Sequence, residues 1–180
     1  YNQILHDVAL QQLPVIFAVD RAGLVGPDGE THQGIYDIGF LSTIPRVKIF
    51  SPANGCELVE MLQLAFAAGG PVAVRYPKGQ VPDPEETRKM LADQERFKKA
   101  FSGYREGQNA ILRRGEGVLI MATGVMVEEA KKTADLLEKA GIRPTIVNTR
   151  FLTEPDMDLL RYMQADHRLL VLMEEAVHAG

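Results

Sequence analysis

Short runs of β-branched and apolar residues alternate along this chain with stretches whose apolar positions recur every three or four residues, and that alternation restricts it to α/β architectures. Pro14-Val15-Ile16-Phe17-Ala18-Val19, Val47-Lys48-Ile49-Phe50 and Pro71-Val72-Ala73-Val74-Arg75-Tyr76 read as buried strands, because a strand covered on both faces is a continuous apolar run. Between the last two, Leu58, Met61, Leu62, Ala65 and Phe66 fall at helical spacing and predict a core-facing stripe, with Ser51-Pro52 as its start and Gly69-Gly70 as its stop. Residues 1–12 predict an amphipathic helix through Ile4, Leu5, Val8 and Ala9. The pattern then repeats, with strands at 118–122, 145–147 and 169–172, a helix over 127–140 closed by Gly141, and another around 156–163. From 80 to 115 the composition turns charged, carries Pro82 and Pro84, and predicts a solvent-facing helix over 85–101. The expected fold is therefore a partial three-layer parallel-sheet α/β domain over 1–79, a charged linker over 80–115, and a second small α/β domain over 116–180.

Charge narrows the function. The 20 basic and 24 acidic residues leave a net charge of -4 and a pI near 5.6, which provides no global positive field for nucleic acid or an anionic membrane. No apolar run approaches the roughly 20 residues of a membrane-spanning helix. Cys56 stands alone, which excludes an internal disulfide and a cysteine-based zinc cluster and suits a reducing compartment, so a cytoplasmic location is expected. The chain opens on Tyr1 without a leader-type pattern and ends soon after a strand, so it reads as a piece of something longer.

The residues richest in chemistry follow the first strand. From Asp20 to Gly34 the loop carries Arg21, Asp28 and His32 among four glycines. Glycine permits positive φ and close backbone approach to a ligand, and imidazole moves protons near neutral pH. The strand ends of open α/β sheets are also where ligands bind. Arg75-Tyr76-Pro77-Lys78-Gly79 ends the third strand, and if the strands are parallel Lys78 comes to the same sheet edge. Arg21 and Lys78 could then hold a phosphate, the first as a bidentate fork and the second as a point charge. The plainer alternatives are a solvated polar loop and an ordinary surface ion pair. His6, His167 and His178 read as structural, Glu128, Glu129, Lys131 and Lys132 as the wet face of a helix, and Met61, Met121, Met126 and Met157 as packing residues. No GxxxxGK[ST], GxSxG or HExxH occurs, nor a GxGxxG after a strand, which sets aside the usual nucleotide, serine-hydrolase and zinc-protease readings.

The stretch DRAGLVGPDGETHQG, with Tyr1-Asn2-Gln3, His6-Asp7-Val8-Ala9, Ile44-Pro45, Ser51-Pro52, Arg75-Tyr76-Pro77-Lys78-Gly79 and the region from Gly117 to Glu175 in the same order, resembles the 1-deoxy-D-xylulose-5-phosphate synthases of the transketolase superfamily. The resemblance implies that 1–79 is the later part of a pyrimidine-binding domain and 116–180 most of a transketolase C-terminal domain. It implies His32 as the active-site histidine, Asp28 as its substrate-binding partner, and Arg21 and Lys78 as phosphate-binding groups. The family has arginine where Lys78 stands, and its connector is shorter than 80–115. The implied reaction joins pyruvate and glyceraldehyde 3-phosphate with loss of carbon dioxide, using thiamine diphosphate and Mg²⁺, and leads to isoprenoid and vitamin precursors. The motif that holds Mg²⁺ and diphosphate, and the glutamate that activates the aminopyrimidine, belong to regions before Tyr1. By resemblance, then, this piece needs an N-terminal cofactor-binding domain, forms part of a homodimer, and is inactive alone without binding the cofactor itself. Two other readings stay open: the beta subunit of a 2-oxoacid dehydrogenase, and a noncatalytic module docking on a separate cofactor-binding chain.

Overall fold

The computed structural model describes residues 1–81, 83–92 and 107–177. Three parallel strands, β1 (Ile16–Val19), β2 (Lys48–Phe50) and β3 (Val72–Arg75), form the first sheet in the order β1-β3-β2. Because side chains alternate across a strand, Ile49 and Ala73 face one side and Phe50, Val72 and Val74 the other. The first side is covered by the π-helical turn Ile4–Ala9 and by a short helix α1 (Asp37–Ser42), which contribute Ala9 and Leu41. The second side is covered by α2 (Gly55–Ala67) through Met61 and Ala65.

The start of α2 differs from the expected one. Ser51 is buried, its N–H donates to the Arg150 carbonyl at 2.8 Å and its Oγ finds no hydrogen-bond partner among the described residues, so it does not cap. The helix begins after Asn54, whose side chain accepts from the Glu57 N–H at 2.9 Å, while Glu57 reaches back to the Ala53 N–H at 2.9 Å. That reciprocal arrangement is a close variant of the capping box. Phe66, expected in the stripe, is 78% exposed; Met61 and Ala65 already fill the inward face.

The second sheet runs β4-β6-β5-β7, built from β4 (Ala110–Arg113), β5 (Gly117–Ala122), β6 (Thr145–Asn148) and β7 (His167–Met173). Strands β5, β6 and β7 are parallel and β4 is antiparallel to β6. Helix α4 (Met126–Lys139) packs Val127, Ala130 and Ala134 on Ile120, Ala122 and Ile146, and α5 (Met157–Gln164) packs Met163 on Leu119, Met121 and Val147. Gly141, at φ +81°, lets the Ile142 N–H return to the Leu137 carbonyl at 2.9 Å and closes α4. Its Lys131–Glu128 and Lys132–Glu129 pairs lie on the exposed side. Strand β4 falls inside the stretch expected to be linker, as does α3 (Pro84–Ala92), which packs on α2. The remainder of the expected helix over 85–101 lies outside the described residues.

The two units are joined along a sheet edge. After β6 the chain lies antiparallel to β2: the Leu152 N–H donates to the Ile49 carbonyl at 2.9 Å, the Ser51 N–H to the Arg150 carbonyl, and the Phe50 and Phe151 rings meet edge to face at 5.0 Å. Beside this seam Glu57, buried on α2, accepts from Asn148 Nδ2 at 2.9 and 3.0 Å and from Arg150 Nε at 2.9 Å. No helix among the described residues is long and apolar enough to cross a membrane.

Candidate functional site

Parallel pairing sends β1 and β3 out at the same sheet edge, so the chain after Val19 and the chain after Arg75 emerge as neighbours. The Ala22 N–H donates to the Tyr76 carbonyl at 3.0 Å and holds them together. Beyond Arg21, which sits at φ +59°, the loop closes on itself: Gly23 and Gly34 exchange both backbone hydrogen bonds, at 2.8 and 2.9 Å. A Cβ on Gly34 would lie 2.0 Å from the Arg21 carbonyl oxygen, so this neck requires glycine there. Within the loop Gln33 accepts from the Val25 N–H at 2.6 Å and donates to the Val25 and Gly29 carbonyls at 3.0 and 2.5 Å. The short 3-10 turn Gly26–Asp28 then points Asp28 back to the strand ends.

There Asp28 stands between two cations. Arg21 Nε donates to Asp28 Oδ2 at 2.6 Å and Lys78 Nζ donates to Asp28 Oδ1. The carboxylate side chain is 13% exposed, whereas Arg21 and Lys78 are 35% and 47% exposed. The Lys78 ammonium and the Arg21 guanidinium hold the Asp28 carboxyl below the usual carboxylate range, and Asp28 with Asp20 raises the Arg21 guanidinium. Arg21, Asp28 and Lys78 thus meet across a loop and a strand end. His32 is on the same loop but exposed, with its Nδ1 2.9 Å from Thr31 Oγ1, and among the described residues no hydrogen bond or ion pair joins it to the three.

A cleft of about 440 Å³ opens beside the cluster. Asp20, Arg21, Asn54, Tyr76 and Lys78 line it from the first unit, and Val125 from the second. The cations therefore face a space large enough for a small phosphorylated metabolite. Burial pushes the Cys56 thiol up and Asp83 adds to the shift, which disfavours the thiolate. His167 is structural: its ring contacts the Met163 carbonyl and Thr145 Oγ1, both at 2.7 Å.

Sequence reasoning missed the supports of this loop. Arg75, fully buried at the end of β3, donates to Asp37 Oδ2 at 2.8 Å, to Asp37 Oδ1 at 3.4 Å and to the Gly34 carbonyl at 3.3 Å. The available signal was an arginine directly after three consecutive buried apolar residues. Glu57 was legible from Asn54-Gly55-Cys56-Glu57, an N-cap residue followed by glutamate at the third helical position.

Residues 1–84 match the family Transketolase, pyrimidine binding domain, and residues 107–180 match Transketolase, C-terminal domain. Among curated proteins the chain is 41% identical over 180 residues to a 1-deoxy-D-xylulose-5-phosphate synthase of Caldanaerobacter subterraneus subsp. tengcongensis, covering 100% of this chain and 27% of that protein. It is 42% identical over 180 residues to one of Heliobacterium modesticaldum, covering 100% of this chain and 26% of that protein. The chain thus spans about a quarter of the length of these relatives. Among solved structures, a split-gene transketolase described as an inactive beta4 tetramer superposes with a TM-score of 0.80 at 25% identity, covering 99% of this chain and 54% of that one. The Campylobacter jejuni transketolase shares the fold, with a TM-score of 0.72 at 21% identity over 95% of this chain and 26% of that one. Two transketolase domains in order and full-length similarity to one named group together place the chain: it belongs to the transketolase superfamily, where its similarity is to the 1-deoxy-D-xylulose-5-phosphate synthases.

Proposed function

We propose that this chain forms the acceptor-substrate side of a 1-deoxy-D-xylulose-5-phosphate synthase, the thiamine-diphosphate enzyme that condenses pyruvate with glyceraldehyde 3-phosphate. The observation that carries the reading is that Arg21 and Lys78, both paired to Asp28, line the open cleft at the ends of β1 and β3. In this reading Lys78, the more exposed cation, turns from Asp28 to the phosphate, and Arg21 adds guanidinium donors. Asp28 orients a substrate hydroxyl. His32 is the proton-moving group and reaches the substrate when the rest of the enzyme closes over the loop.

In this reading, as the resemblance implies, the groups that hold Mg²⁺ and the diphosphate belong to the part of the enzyme that precedes Tyr1. Thiamine diphosphate supplies the electron sink for decarboxylation and carbon–carbon bond formation in the assembled enzyme. This chain's own work is to bind and orient the phosphorylated aldehyde. By itself it is expected to give no product with thiamine diphosphate and Mg²⁺. The solved split-gene transketolase chain, whose tetramer is described as inactive, supports that expectation.

Calorimetric titration of the chain with glyceraldehyde 3-phosphate tests the site. Lys78→Ala should weaken binding about five- to tenfold, a modest loss because the ammonium is half in water. Lys78→Arg should retain it, the fork replacing the point charge. Equal affinity for the parent and the alanine variant would remove the phosphate from this place.

A further inference from the structure

After β7 the second unit crosses to the loop of the first. The Val177 N–H donates to the Ile35 carbonyl at 3.0 Å, next to the neck formed by Gly23 and Gly34. Just before it, the half-buried Glu175 side chain lies against Gly23, where an added Cβ would stand 2.2 Å from its Oε1. Gly23 also sits at φ +82°, so its missing side chain serves both the turn and the carboxyl. Arg75 supports the same neck from the sheet through the Gly34 carbonyl. Glu175 accepts no hydrogen bond among the described residues, although a carboxylate taken out of water normally finds donors.

We propose that Glu175 is a positioning residue of the Arg21–Asp28–Lys78 site: seated in the space at Gly23, it couples docking of the 174–177 segment to the shape of the loop neck and so to the spacing of the phosphate-binding groups. The inference deepens the reading above and rests on it for the ligand, while the coupling itself rests on the contact at Gly23. The groups that face the carboxyl are Arg75 from β3, which favours its charged form, and Asp37 from α1, which opposes it; the adjacent Glu174 is exposed. Burial outweighs Arg75 and raises Glu175 above its ordinary value. The docked segment thus binds the proton better than the released one. Docking is tightest below the ordinary carboxylate range and weakens as pH rises from that range through the raised value.

The test is an NMR pH titration of the whole chain, following the Glu175 carboxyl carbon and the amides of Gly23, Gly34 and Val177. One shared step, above the ordinary carboxylate range, is expected at all four positions. Glu175→Gln should abolish it. Sulfate, a dianion throughout, serves as the phosphate probe. Its affinity should fall roughly 3- to 30-fold across that step in the parent chain and stay flat in the glutamine variant. Neck amides that remain still while Glu175 titrates would overturn the proposal, and that measurement needs no variant to fold. A chain that shows the shared step but binds no sulfate would instead overturn the phosphate reading of Arg21 and Lys78 and leave the coupling standing.

Discussion

Arg75→Met is expected to melt about 10 °C below the parent chain. The guanidinium is fully buried and spends its donors on Asp37 and the Gly34 carbonyl. Methionine occupies similar volume without charge, so packing is largely kept while Asp37 loses its cation. Removing one partner of a buried ion pair costs about 3–5 kcal/mol, and in a chain of this size each kcal/mol moves the midpoint by about 2–4 °C. Replacing both partners, as in Arg75→Met with Asp37→Leu, should recover most of the loss, since the expense lies in the orphaned charge. Glu175 provides a second readout. Arg75 is the cation that restrains the upward shift of its carboxyl, so the single variant should move the Glu175 titration higher still. Differential scanning calorimetry and carboxyl-carbon NMR check the two parts. A midpoint within 2 °C of the parent, the limit set by less than about 1 kcal/mol, would show that the pair does not hold the loop.

Glu57→Ala should act at the seam between the units. Its carboxylate caps α2 through the Ala53 N–H and accepts from Asn148 and Arg150, so the substitution removes a helix cap and a buried ionic acceptor together. The expected cost is about 3–4 kcal/mol. It should appear where the units meet: the amides of Ser51 and Leu152, which bond across the seam, should lose about 100-fold in hydrogen-exchange protection, while amides in the middle of β5 lose less. Uniform loss along both sheets would mean that Glu57 stabilises the whole molecule and has no special part in the seam.

How much of this was readable beforehand follows from which forces are local. Strands β1, β2, β3, β5, β6 and β7 were legible because each is a short apolar run, although β7 leaves Leu169, Leu170 and Leu172 exposed. Helix α1 was not, since six residues including Gly39 make too short a pattern and it is held by burial of Leu41 and the Arg75–Asp37 pair. Strand β4 was hidden because Ala110-Ile111-Leu112-Arg113 adjoins charged sequence and pairs only at a sheet edge, where alternate side chains stay partly exposed. Of the candidate site, Arg21, Asp28 and Lys78 could be brought together once parallel strands were assumed. The internal stitching of the loop by Gln33 has no local sequence signal, and Glu175 reaches Gly23 only through the packing of one unit on the other.

The strip over 150–153 has a consequence for ancestry. By completing the β2 edge with its own backbone, the later half of the chain is fastened to the earlier half by main-chain hydrogen bonds that hardly depend on side-chain identity. Such a fastening tolerates drift in the residues on either side, and it would persist if a gene were divided between residues 92 and 107. Fission into two polypeptides is therefore a change this architecture could survive without first inventing a new interface.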